Sequence, residues 1–258
     1  MSATTITPAK PTLSTNDSAV LQALFDAESS PSSGVTIDPT LPQLPTHLNI
    51  SVKEQTLLQA REKEIIQPLA SPSPDSQSAP EMESIRSAIQ ELDSLIEKNP
   101  AYPSAYANRA QTLRILLDSE QQQPSEKEST LSTLLSSLEK AITLLTPLSP
   151  TNPVSPYQAR LLADTHTHRG YLLLKISRDL KSKSTTTTST EIPGIPRKLA
   201  EAGPDALEEM ASRDFFMGGR YGNKVAQQMA VQTNPYAKMC GAIVKEAMRK
   251  EVEGGLVG

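Results

Sequence analysis

Three histidines, one cysteine and one glycine-rich stretch carry whatever catalytic chemistry this 258-residue chain could perform. His166 and His168 are two positions apart, about 200° around a helix, so both cannot face one metal ion. Cys240 has no adjacent histidine to activate it and reads as a small apolar packing residue. Gly218-Gly219-Arg220-Tyr221-Gly222 does not follow a strand, so it is not a phosphate-cradling loop. Glu81, Glu83, Glu91, Asp93 and Glu97 fall on a mostly polar helix side and read as a solvated face. The residues therefore predict no enzyme, no metal site and no cofactor. What remains is recognition: Arg114 and Tyr171 combine apolar area with directional donors. With Ala107, Asn108, Gln111, Thr167 and Leu174 they are the expected lining of a partner-binding groove.

The elements that must position these residues are helices. Ala88, Leu92 and Leu95 are spaced four and three apart and form one apolar stripe. Pro100 ends that helix, since it lacks an amide hydrogen and disfavours helical geometry at Asn99. Pro103 suits a first helical turn, after which Tyr106, Ala110, Leu113 and Leu117 repeat at four, three and four. Ala110 falls where two helices approach to about 8–10 Å and only a small side chain fits. This is the register of a tetratricopeptide-type repeat of roughly 34 residues. Gly170 occupies the slot equivalent to Ala110, and Ala211, Phe215 and Gly218 repeat the spacing of Ala88, Leu92 and Leu95.

The predicted class is all-α: a solenoid of three helical hairpins with an N-terminal helix and a C-terminal capping helix. Its divisions are a disordered tail at 1–15, an N-terminal helix and irregular segment at 16–49, repeats at 50–100, 101–149 and 150–222, and the capping helix at 223–258. Asn16-Asp17 caps the first helix, and Ser51 with Glu54 forms a capping box for the second, which ends near Pro68. Ser125 and Glu128 offer another capping box. A helix over about 157–179 precedes a flexible loop at 181–197, and Pro204-Asp205 opens the next helix. Gly218-Gly219 and Gly222-Asn223 break the chain before a last helix capped by Asn234-Pro235.

Composition fits this reading. Net charge is −4, which gives no electrostatic case for nucleic acid or an anionic membrane. Aromatic residues make up 3% and tryptophan is absent, so the core is aliphatic, and the 21 prolines concentrate between the periodic segments. A single cysteine fits a reducing compartment, no apolar run nears the roughly 18 residues needed to span a bilayer, and residues 1–16 do not resemble a leader. The expected location is the cytoplasm, with the nucleus also accessible.

A more specific resemblance rests on five motifs. They are Asn16-Asp17-Ser18-Ala19-Val20-Leu21-Gln22-Ala23-Leu24-Phe25, Ala105-Tyr106-Ala107-Asn108-Arg109-Ala110, Arg169-Gly170, Asp214-Phe215 and Asn234-Pro235-Tyr236-Ala237-Lys238-Met239-Cys240. Together they resemble the tetratricopeptide repeat protein 36 family over about Asp17 to Met248, with insertions at 70–80, 118–129, 147–156 and 181–202. The resemblance implies three repeats, no catalytic activity, association with Hsp70-type chaperones and a link to tyrosine breakdown. The alternative it leaves open is a scaffold or regulator that stabilises an enzyme of tyrosine catabolism. A related repeat subclass grips a chaperone's C-terminal carboxylate with Lys, Asn and Arg donors. Asn108 matches one of these, but Asp164, His168, Ala60 and Glu64 occupy the other positions, so a chaperone contact is expected on another surface.

Overall fold

The computed structural model describes residues 35–70, 82–118, 123–184 and 193–234, with Glu246 and Arg249. Its helices are α1 (Val52–Ala70), α2 (Met82–Lys98), α3 (Pro103–Asp118), α4 (Pro124–Leu145), α5 (Pro156–Ser184), α6 (Arg197–Ala202), α7 (Pro204–Arg220) and α8 (Lys224–Thr233). The fold is all-α, and no strand is present among the described residues. No described helix is long and apolar enough to cross a membrane. The expected helix at Asn16–Phe25, the linker from Ser71, Cys240 and the helix beginning at Pro235 lie outside the described residues.

From α1 to α5 each helix packs on its predecessor, α7 takes over from α5, and α8 packs on α7. The stripe residues direct this stacking: Ala88, Leu92 and Leu95 are buried, as are Tyr106, Ala110 and Leu113. Ala88, Ala110 and Ala211 are at most 4% exposed and Gly170 is buried, so all four small residues lie where helices meet. A β-carbon on Gly170 would stand 3.1 Å from a Phe215 ring carbon and 3.2 Å from the Ala211 carbonyl oxygen. One on Gly218 would meet the Thr167 hydroxyl oxygen at 2.7 Å. Alanine is small enough in α2 and α3; at the α5–α7 crossing a glycine from each helix allows a closer approach.

Several boundaries differ from expectation for local reasons. Pro68 lies inside α1, but only two residues follow it, so the hydrogen bond it forfeits belongs to the last turn. Ser51 does accept the Glu54 amide at 3.2 Å. The Ser125 cap does not form: Pro124 takes the first helical position, and Gln123 precedes it without a side-chain bond. α5 runs to Ser184, five residues past the expected end and into the segment read as flexible, and α6 begins at that segment's last residue, Arg197. Gly218 and Gly219 continue α7, and the turn falls at Gly222, whose φ of 103° suits glycine. Asn223 then caps α8 by accepting the Ala226 amide at 3.0 Å.

The irregular residues before α1 form a strap. Asp38 N–H donates to the Val154 carbonyl and Val154 N–H to that of Thr36, both at 2.9 Å, so Ile37 and Val154 make an isolated parallel bridge. The Ser155 hydroxyl donates to the Gln43 carbonyl at 2.7 Å, and Leu44 and Leu48 are buried in the same core as α1–α3. This segment thereby ties the start of α5 to the N-terminal helices.

Candidate functional site

On α3, Asn108, Gln111, Arg114 and Asp118 follow one another at three or four residues, and on α5 so do Asp164, His168, Tyr171, Lys175 and Asp179. Of the residues expected to bind a partner, Asn108, Gln111, Arg114 and Tyr171 lie on these rows and Thr167 and Leu174 beside them on α5, and the structure separates the six into three environments. At the α1 end, Asn108 is engaged internally. Its Nδ2 donates to Glu62 Oε1 at 2.8 Å, while the hydroxyls of Tyr102 and Ser104 donate to Oε2 at 2.7 and 2.9 Å. Glu62 is 5% exposed and its donors are neutral. Burial pushes its carboxyl above the usual range, the three hydrogen bonds pulling only partly back. Burial, then the Glu62 charge, pushes the Tyr102 phenol up as well. Asn108 is thus a helix-docking residue.

At the α5–α7 crossing the motif residues Arg169-Gly170 and Asp214-Phe215 meet. Arg169 donates from Nε to Asp214 Oδ2 and from a terminal nitrogen to Oδ1, both at 2.7 Å, a two-pronged grip. His166 Nδ1 lies 2.8 Å from Oδ1; an ionised carboxylate only accepts, so this nitrogen donates. The His166 ring stacks on Tyr221 with centroids 6.2 Å apart. Burial alone would raise Asp214, but the hydrogen bonds from His166 and Arg169 and their charge outweigh it, and the carboxyl is held low. Thr167 belongs to this crossing, its hydroxyl donating to the Ala163 carbonyl at 2.6 Å. Leu174 is 3% exposed in the apolar cluster with Phe215 and Leu207. Neither lines a groove, because α5 is flanked by neighbours along these faces.

The third environment is open. Arg114 and Tyr171 line a cavity of about 320 Å³ with Lys127, Lys175, Asp118 and Asp179, over Leu131, Leu172 and Ile176. Tyr171 is 51% exposed. Lys175 Nζ lies 3.3 Å from Asp118 Oδ1. Arg114 Nε is buried without a hydrogen-bond partner among the described residues, as is His168 Nε2. Burial first, then the Arg114 charge, lowers His168 to about 4, so its ring is neutral near pH 7 and offers Arg114 no repulsion there. Gln111 is exposed one turn before Arg114. Of six expected binding residues, Arg114 and Tyr171 share a site, Gln111 lies in solvent nearby, and Asn108, Thr167 and Leu174 are structural. The acidic side of α2 faces solvent at Glu83, Asp93 and Glu97 as expected, and two of its carboxylates also make ion pairs there, Asp93 with Arg109 at 2.7 Å and Glu91 with Arg61.

Glu62 was missed because a lone glutamate on a polar helix carries no periodic signal. The cavity's Lys127, Pro193, Gly194 and Ile195 come from insertions whose folded position no local pattern encodes.

No family model and no solved structure matches the chain. It is 58% identical to the L-tyrosine degradation gene cluster protein hmgX of Aspergillus fumigatus, over an alignment of 262 residues that covers 98% of each chain. This finding overturns the expected place in the tetratricopeptide repeat protein 36 family: a relative matched from end to end, expanded loops included, carries a different name.

Proposed function

The chain belongs to the family of the hmgX protein, and from that premise we propose that it is a non-enzymatic cytoplasmic scaffold or regulator that stabilises an enzyme of tyrosine catabolism by binding it. The observation that carries this reading is the end-to-end identity with a protein named for an L-tyrosine degradation gene cluster. The stacked helices supply the means. They are arranged as three hairpins of tetratricopeptide type in this reading, with the buried Ala88, Ala110, Gly170 and Ala211 at the close approaches in support. Such arrays bind proteins along faces left open by the stacking. Arg114, Tyr171 and Gln111 form the contact surface in this reading, being the three of the six expected binding residues not engaged inside the fold.

An Hsp70-type chaperone partner has less in its favour. Asn108, the one residue matching a carboxylate-gripping set, donates to Glu62, and the relative's name does not refer to chaperones.

Affinity purification of the full chain from its own cells, beside an Arg114→Glu/Tyr171→Ala double variant, tests the proposal. A tyrosine-catabolic enzyme should co-purify with the native chain, be depleted about 10-fold with the variant, and lose activity in cells lacking the protein. Recovery of no such enzyme, with its activity unchanged in those cells, would overturn the reading.

A further inference from the structure

We infer that the cavity between α3, α4 and α5 is a binding site for a small carboxylate with an apolar body. The inference goes beyond the scaffold reading and does not depend on it. Charge is the first ground. Arg114, Lys127 and Lys175 face Asp118 and Asp179, leaving one positive charge in excess. Lys175 is paired with Asp118. Arg114 has no ion-pair partner and a buried Nε without an acceptor among the described residues. The guanidinium nevertheless lines the cavity, and an ionised carboxylate there supplies the counter-charge that no ion pair gives it among the described residues.

Shape and polarity are the second ground. The volume of about 320 Å³ falls at the lower end of the range for small-molecule sites, about 300–1,000 Å³. One wall is apolar: Leu131, Leu172 and Ile176 are buried beneath it, and Leu117 and Ile195 flank it. The Tyr171 ring stands exposed on the opposite row from Arg114, giving an aromatic or aliphatic body a face to cover. Cation, apolar floor and aromatic wall together select a molecule with one anionic end and one apolar end. A bare inorganic anion would leave the floor wet, and a neutral aromatic would leave Arg114 unanswered.

The test titrates phenylacetate, acetate and 2-phenylethanol into the full chain by calorimetry. Phenylacetate should bind saturably with a Kd of about 1 mM or tighter, with acetate and 2-phenylethanol each at least about 10-fold weaker. Arg114→Gln and Lys127→Gln should each weaken phenylacetate, Arg114→Gln by about 10-fold or more, with circular dichroism unchanged. Should Arg114→Gln fail to fold, Lys127→Gln decides alone: weaker binding supports the site, and unchanged binding overturns it. Absent saturation, equal binding of 2-phenylethanol or acetate, or full affinity in folded Arg114→Gln also overturns it.

Discussion

Two buried carboxylates hold the two ends of this molecule by opposite means. Glu62, on α1, is met by three neutral donors from the start of α3, and burial lifts its carboxyl above the usual range. Asp214, on α7, is met by the guanidinium of Arg169 and the imidazole of His166, and its carboxyl is held low. Burial is similar, 5% and 4% exposed, so the partners decide the sign: the hydrogen bonds from His166 and Arg169 together with their charge outweigh burial at Asp214, and three neutral donors do not at Glu62. The C-terminal crossing is therefore an electrostatic lock that fails if one member is removed. The N-terminal junction is a hydrogen-bonded fit whose charge opposes folding.

The sharpest way to break this contrast is Asp214→Ala. It strands Arg169 and His166 beside an apolar crossing, and should cost about 3–5 kcal/mol in denaturant unfolding. A loss below about 1 kcal/mol, the level of a surface pair, would show that the lock does not bear on folding. Gly170→Ala probes the same crossing without touching charge. Alanine exceeds glycine in helix propensity by about 1 kcal/mol, so a purely local effect would stabilise. The backbone oxygen of Ala211 lies 3.2 Å from the added β-carbon and cannot swing away. A net loss of about 1–3 kcal/mol is expected, and a gain would place the crossing looser than described.

These two sites also mark what the sequence could and could not say. The small residues were legible, because spacings of three and four are local, and Ala88, Ala110, Gly170 and Ala211 all sit at packed faces. Arg169-Gly170 and Asp214-Phe215 were legible as motifs but not as one contact, since 45 residues separate their charged members. On α5, Tyr171 and Leu174 are three apart and looked equivalent, yet one is half-exposed and the other buried. A helix flanked on two sides has a narrow open strip that periodicity cannot locate. The strap at Ile37 and the cavity wall at Ile195 depend on long-range pairing of irregular chain, which carries no periodic signal.

At the N-terminal junction smaller effects are expected. Asn108→Ala removes one of three donors to Glu62 and should cost about 1–2 kcal/mol. If Asn108 were a solvated groove residue, the change would stay within about 0.5 kcal/mol, as surface substitutions do.

The smallest effect separates the two carboxylates by pH. Glu62 has an ordinary value of 4.5 and a higher one in the folded chain, so the native state holds its proton more tightly. Its contribution is greatest below pH 4.5, where both states are protonated, and is lost as pH rises through the folded value. Asp214 behaves inversely: its contribution is complete above its ordinary 3.8 and is lost as pH falls through a lower folded value. Denaturant midpoints of the native chain and Glu62→Gln, compared upward from pH 4.5, isolate the first of these slopes. The native chain should lose stability relative to Glu62→Gln as pH rises, while Asp214 is constant across that window. A flat or rising difference would mean that the hydroxyls of Tyr102 and Ser104 and the amide of Asn108 outweigh burial, and that the two ends of the molecule hold their carboxylates in the same way.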